Sequence, residues 1–384
     1  MSSKSEKFIK KVEEVLDPDR IKESLKRQKA AWNFRKVDYP PLIVNCPPPS
    51  WWPNFRYIEI FNDMDKMLIS ELASVYQHCA IGDDFIPCVR ANYGVVVIPS
   101  AFGSEVYVPK NIFVFEKTYT VGPWAKPILN VNHPNLKNLK IPDPEKDGLM
   151  RRVLETEEYF IEKLENTGVR VCVCDTQGPL DIAHMLRGSK LITDFFKYPT
   201  FVDKLLEITS DVYIEFNKIQ KSIIGEPLMQ GVAKGVGDGI WMDKGGAMLR
   251  ADSVIVLSPR LYRRFCKPIH EKSLRPFNGG LMHMCGNVNP LLEDILSTRG
   301  VRAINLGNPE MYKLSELLNL LHDKACLIWT GHPRPNQPLH EWIKEVASNL
   351  GDNRTGIIFS LYEGANNFEE ARRIVTSWKE FFLK

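Results

Sequence analysis

Apolar and polar positions alternate along this chain in two different rhythms. The first 35 residues carry a helical period: Phe8, Ile9, Val12 and Val15, then Ile21, Leu25 and Ala31, recur amid charge. Asp17-Pro18 divides them into two helices, because the residue before proline avoids the helical region. An N-terminal helical extension is therefore predicted over residues 1–40, as a solvated amphipathic cap. Leu42-Ile43-Val44-Asn45-Cys46 is a short buried strand, stopped by Pro47-Pro48-Pro49. Asp65 to Cys79 has helical periodicity, and Gly94 to Ser100 is a Val-rich strand. From there to about Ile141 the chain is rich in Pro and Asn without a clear helix, which suggests a lid or a hairpin insertion.

After about Pro142 strand and helix patterns alternate. The strands predicted are Val169–Cys174, the run leading to Gly235–Gly239, the segment Gly280–Cys285, Val301–Asn305, Ala325–Trp329 and Gly356–Ser360. Helices are predicted over Met150–Asn166, Leu180–Arg187, Thr200–Ile224, Pro259–Leu274, Pro290–Ser297, Lys313–His322, Pro338–Leu350 and Asn367–Phe382. Such alternation implies a parallel sheet covered by helices. Over this length it favours a single α/β domain, residues 1–384, built as a (β/α)8 TIM barrel with extra N-terminal helices and an insertion. No Gly-rich dinucleotide fingerprint sits between a strand and a helix.

Composition narrows the function classes. With 384 residues, 44% hydrophobic, the chain can bury a sizeable core. A net charge of +3 gives no support for nucleic acid or an anionic membrane surface as partner. No run is long and apolar enough to span a bilayer. The polar, lysine-rich start lacks the apolar region of a signal peptide. The eight cysteines lack the dense spacing of a disulfide scaffold, so reduced thiols and a cytoplasmic setting are expected.

Candidate chemistry collects where predicted strands run out into loops, as it does at the mouth of a barrel. These ends carry Cys46, Asp175 with Gln177, Asp238, His283 with Cys285, Asn305, His332, and Tyr362 with Glu363. Each has a plainer reading: Asp175 as a helix cap, Asp238 as a tight-turn residue between glycines, Asp252 and Ser253 as caps of a short helical turn, His332 as a loop residue. His283 and Cys285 stand two apart in an extended segment and so face the same side. An imidazole and a thiolate there are half of a zinc site, and a catalytic zinc takes three protein ligands and one open position. Glu363 on the last strand is the leading third ligand, with Asp175, Asp238 and Cys174 behind it. Asp175, Gln177 and Asp238 would orient substrate or pass protons. Trp51 and Trp52 would form an aromatic wall or, equally, cover the core, and Asn305, His332 and Tyr362 would contact substrate.

The segments Asp175–Leu180 with Leu186-Arg187-Gly188, Leu257-Ser258-Pro259 with Tyr262–Pro268, and His283-Met284-Cys285-Gly286-Asn287 resemble the uroporphyrinogen decarboxylase superfamily. The resemblance covers Val169 to the C-terminus well and the first part loosely. It is closest to the branch of zinc- and cobamide-dependent methyltransferases. It implies a (β/α)8 barrel, zinc held by His283, Cys285 and a later ligand, and methyl transfer between a corrinoid on a partner protein and a thiol or small methylated molecule. A homodimer is compatible with this. The sequence departs from that branch where thiol-methylating members carry a cysteine ligand before a glycine: here Glu363 precedes Gly364. Oxygen ligation makes a metal more Lewis acidic and suits a methyl ether donor. The arginine-bearing motif of true uroporphyrinogen decarboxylases is replaced by Pro47-Pro48-Pro49-Ser50-Trp51-Trp52, which ranks a metal-free lyase acting on a carboxylated substrate second. A barrel that binds a small molecule or corrinoid partner without turnover is the non-enzymatic alternative.

Overall fold

The computed structural model describes residues 4–115, 122–235, 238–351, 354–361 and 364–384. Eight parallel strands organise it: β1 (Leu42–Val44), β2 (Cys88–Arg90), β3 (Arg170–Cys172), β4 (Ala247–Arg250), β5 (Gly280–Met284), β6 (Val301–Leu306), β7 (Cys326–Trp329) and β8 (Ile357–Leu361). Six form one sheet in the order β4-β5-β6-β7-β8-β1, and β2 pairs with β3. The first strand thus lies beside the last, and every ladder in the six is parallel. This neighbour order, with helices between strands, is that of a TIM-like fold. Among the described residues the backbone ladders do not close into a ring.

Side chains bridge the two open junctions. Between β1 and β2, Asp83 and Asp84 stand in for a strand. Leu42 N–H donates to Asp84 Oδ2 at 3.0 Å and Val44 N–H to Asp83 Oδ2 at 2.9 Å. Asp84 N–H in turn donates to Leu42 O. Arg27 and His78 sit against these buried carboxylates. Between β3 and β4, the loop after β3 touches the end of β4 so closely that a Cβ on Gly178 would lie 2.1 Å from Arg250 O. Arg250 also reaches Asp175, just beyond β3, at 2.8 Å.

The two N-terminal helices, Lys4–Glu13 and Pro18–Trp32, form where predicted, with Asp17 capping the second through the N–H groups of Asp19 and Arg20. They are more than a solvated cap. Gln28 is fully buried; its amide donates to Asp84 O and Gly239 O and accepts from Trp241 N–H. That helix therefore ties the Asp84 loop to the Gly239–Trp241 segment.

Two expectations are corrected. Gly94 to Ser100 is not a strand but a 3-10 turn, Gly94–Val96, running into a short helix, Val97–Ala101. Val96, Val97 and Ile98 are fully buried, so the run has no alternation to read. Pro99 has no N–H to give a central ladder but is tolerated in a first helical turn. The run toward Gly235–Gly239 belongs to an antiparallel hairpin, Gly231–Ala233 with Ile240–Met242, and the parallel strand that follows is β4.

The excursion up to Ile141 contains a small hairpin, Val106–Tyr107 with Trp124–Ala125. It is anchored from below by Arg187, 1% exposed, which donates to Asp194 and to the carbonyls of Leu129 and Val131. No described helix is long and apolar enough to cross a membrane. All eight cysteines are free thiols, as expected, and Cys285 alone is exposed.

Candidate metal centre

Strand register assembles the site. Arg250 of β4, His283 of β5 and Asn305 of β6 are lateral partners, so their side chains share one face in a row. Asn305, 1% exposed, donates from Nδ2 to Ile328 O at 2.9 Å. A carbonyl can only accept, so this bond fixes which way the amide points. Its Oδ1 then faces His283 Nδ1 at 2.6 Å, and the proton must sit on that nitrogen. Nε2 carries the lone pair.

The lone pair points at two other metal-ligand atoms. Cys285 Sγ is 3.4 Å from Nε2, and Asp252 Oδ1 is 3.5 Å from it. The ligand atoms of Asp252, His283 and Cys285 all lie within 4.8 Å of one another. Two donors about 2.0–2.3 Å from a tetrahedral zinc are about 3.3–3.6 Å apart. The two spacings from His283 Nε2 match that edge, and the donor set of nitrogen, sulfur and oxygen is one zinc accepts. Metal-ligating histidines commonly donate the other ring N–H to an oxygen acceptor, as His283 does to Asn305 Oδ1. Gly307, after β6, leaves room for the thiol: a Cβ there would come within 2.7 Å of Cys285 Sγ.

The electrostatics point the same way. His283 is buried, which depresses its basicity. Burial and the neighbouring Asp252 push the Cys285 thiol up to about 12. A carboxylate and a thiol held this close favour a cation between them, which would reverse the shift. The turn carrying Asp252 is itself gripped by Asp181, whose two oxygens accept from Asp252 N–H at 2.9 Å and Ser253 N–H at 2.8 Å.

Asp252 is the residue that sequence reasoning placed elsewhere, as a helical-turn cap. It does begin a 3-10 turn, Asp252–Val256. Its position two residues beyond β4 is the signal. Asp238, flanked by glycines, is the more conspicuous strand-end candidate in the sequence, and β4 itself is only four residues long.

The other predicted residues distribute as follows. Asp175 and Gln177 are buried beyond β3. Gln177 takes a left-handed φ of 59° and its amide turns back to Asp175 Oδ1 at 2.9 Å. Burial would raise the Asp175 carboxyl, but Arg250 and Arg90 outweigh it and hold it below the usual range. Lys234 and the Gly235 N–H do the same for Asp238, whose Oδ1 accepts that N–H at 2.7 Å. Both are thus carboxylates suited to orienting neighbours, and neither is a proton donor near neutrality. Asn305 acts on His283 and Ile328. Trp52 is 3% exposed, packed against Phe8 and Tyr76, with its indole N–H donated to Ile69 O; Trp51 is half exposed beside it. These rings cover the core near the N-terminal helices. His332 is half-buried in the loop after β7. Cys174 is fully buried, and Tyr362 and Glu363 lie outside the described residues.

No family model matches the sequence, and no curated protein matches it. In fold the chain is similar to a methyltransferase from Methanosarcina mazei, with a TM-score of 0.63 over 93% of this chain and 98% of that one. Identity between the two is 17%, so the likeness speaks for the fold.

Proposed function

We propose that this chain is a zinc-dependent methyltransferase on a (β/α)8 barrel, moving a methyl group between a small methylated substrate or thiol and a corrinoid carried by a partner protein. The observation that carries the reading is the His283–Cys285–Asp252 group, with its imidazole tautomer set by Asn305. His283 Nε2, Cys285 Sγ and Asp252 Oδ1 would hold the metal as its three protein ligands, leaving the fourth position open. When bound, zinc lowers the pKa of a thiol or polarises an ether oxygen at its open position. Cys285 and Asp252 are partly exposed, so the group opens to solvent on one side, as a catalytic rather than a sealed structural site requires. Likeness in fold to a protein named methyltransferase supports the reaction class.

The chain's own residues have separable tasks. Asn305 keeps the His283 lone pair aimed inward. Arg250, lateral partner of His283, and Asp175 form an ion pair that fixes the polar wall beside it. The cations near this wall, Arg90, Arg250 and Lys234, are offset by the anions Asp175, Glu71 and Asp238, with Arg250 and Arg90 sharing Asp175 and Lys234 3.2 Å from Glu71. A surplus of positive charge for a polycarboxylate is therefore missing from these pairs, which ranks the lyase reading below methyl transfer.

The test is transfer itself. The zinc-loaded protein is mixed with reduced free cobalamin and a panel of methylated ethers, amines and thioethers, and methylcobalamin formation is followed by its visible spectrum. Thiols with methylcobalamin test the reverse direction. Formation that disappears in His283→Ala supports the reading. Equal rates in the wild type and in His283→Ala contradict it.

A further inference from the structure

Asp181 does not belong to the donor group, yet the structure gives it an unusual task. It lies in the first turn of the helix Pro179–Arg187, which follows β3, and it is 5% exposed. Its carboxylate bonds nothing on its own helix that would explain its burial. Both oxygens instead accept backbone N–H groups across 71 and 72 residues of sequence, from Asp252 and Ser253. Those two N–H groups open the 3-10 turn Asp252–Val256, where a turn has no internal acceptors to offer. Three residues further along the same helix, His184 Nδ1 lies 2.9 Å from Ser253 Oγ. One helix therefore grips this turn at two points.

The position of that turn decides where the Asp252 side chain goes. Asp252 Oδ1 accepts from Cys285 N–H at 2.8 Å and lies 3.5 Å from His283 Nε2. Burying a second carboxylate beside Asp252 is electrostatically unfavourable, and fixing a surface turn does not need one. We propose that Asp181 is a positioning residue that holds the Asp252 carboxylate at the metal-binding point, a role that rests on the metal reading above.

The experiment is a double-mutant cycle on metal affinity. Zinc dissociation constants are measured by competition with a chromophoric chelator for the wild type, Asp181→Ala, Asp252→Ala and the double variant. Cobalt(II) spectra are recorded alongside, because their visible bands report the ligand set rather than fold stability. Loss of a residue supporting a metal ligand typically weakens binding ~10–100-fold. That loss is expected for Asp181→Ala in the wild-type background, with an altered cobalt spectrum, and no further loss where Asp252 is already alanine. Asp181→Asn, which keeps one acceptor and serves if the alanine variant fails to fold, should fall between. Unchanged affinity in both Asp181 variants overturns the proposal. So does an equal loss in the Asp252→Ala background, which would show that Asp181 acts on the fold at large. A wild type that binds no zinc removes the metal reading itself, and the positioning role with it.

Discussion

Replacing Asn305 by leucine should separate metal binding from fold stability. The side chain makes two good hydrogen bonds, 2.6 Å to His283 Nδ1 and 2.9 Å to Ile328 O, and at 1% exposure no water can take its place. Leucine, of the same branched shape, leaves an imidazole N–H and a carbonyl buried without partners. Each orphan costs about 1–3 kcal/mol, so a loss of roughly 2–6 kcal/mol in stability follows. The effect on zinc arises differently: the imidazole is no longer held in one tautomer and one orientation. That should weaken binding ~10–100-fold, or about 1.4–2.8 kcal/mol. Asn305→Asp distinguishes the two effects. A carboxylate still accepts from Nδ1–H but faces the Ile328 carbonyl with no donor. Stability should therefore fall, while zinc affinity stays within a few-fold of wild type. Urea unfolding and chelator competition on the same preparations give both quantities. If Asn305→Leu and Asn305→Asp lose zinc equally, or if Asn305→Leu keeps full affinity, the tautomer argument is wrong.

Three further outcomes are expected. Gly307→Ala places a Cβ 2.7 Å from Cys285 Sγ, so the thiol must move; zinc affinity should drop ~10-fold or more while the thermal midpoint changes little. Arg187→Ala strands Asp194 without its partner and frees the Leu129 and Val131 carbonyls; a loss of about 3–5 kcal/mol is expected, with faster limited proteolysis near residues 126–141. His270 is fully buried, and burial lowers its pKa to about 3. Its folded pKa is depressed, so its contribution is intact above about pH 6.5 and is lost as pH falls, by ~1.4 kcal/mol per unit down to about pH 3. His270→Gln should flatten that part of the urea-stability profile against pH, and an unchanged slope would show that another group governs it.

Much of the architecture was legible because parallel strands buried on both faces read as apolar runs, and the helices between them kept their period. His283 and Cys285 were legible for a local reason, two residues apart on one extended segment. Asp252 was not, because β4 is a four-residue strand, Ala247–Arg250, hidden behind a more conspicuous glycine-rich turn. The pairing of Asn305 with His283 depends on the β5–β6 register, which no local pattern encodes. Trp51 and Trp52 looked like pocket walls because aromatic loops after strands can be either walls or covers. The deciding partners, Phe8 and Tyr76, come from helices that sequence alone does not place. Pro99 was the available warning that Gly94–Ser100 is not an inner strand.

The central claim is that His283, Cys285 and Asp252 form one metal centre. The direct measurement is metal content by elemental analysis of protein purified without chelator, for the wild type and for His283→Ala, Cys285→Ala and Asp252→Ala. About one zinc per chain in the wild type, sharply reduced in each of the three variants while they remain folded, is the predicted result. No zinc in the wild type, even after incubation with excess zinc and gel filtration, would contradict it.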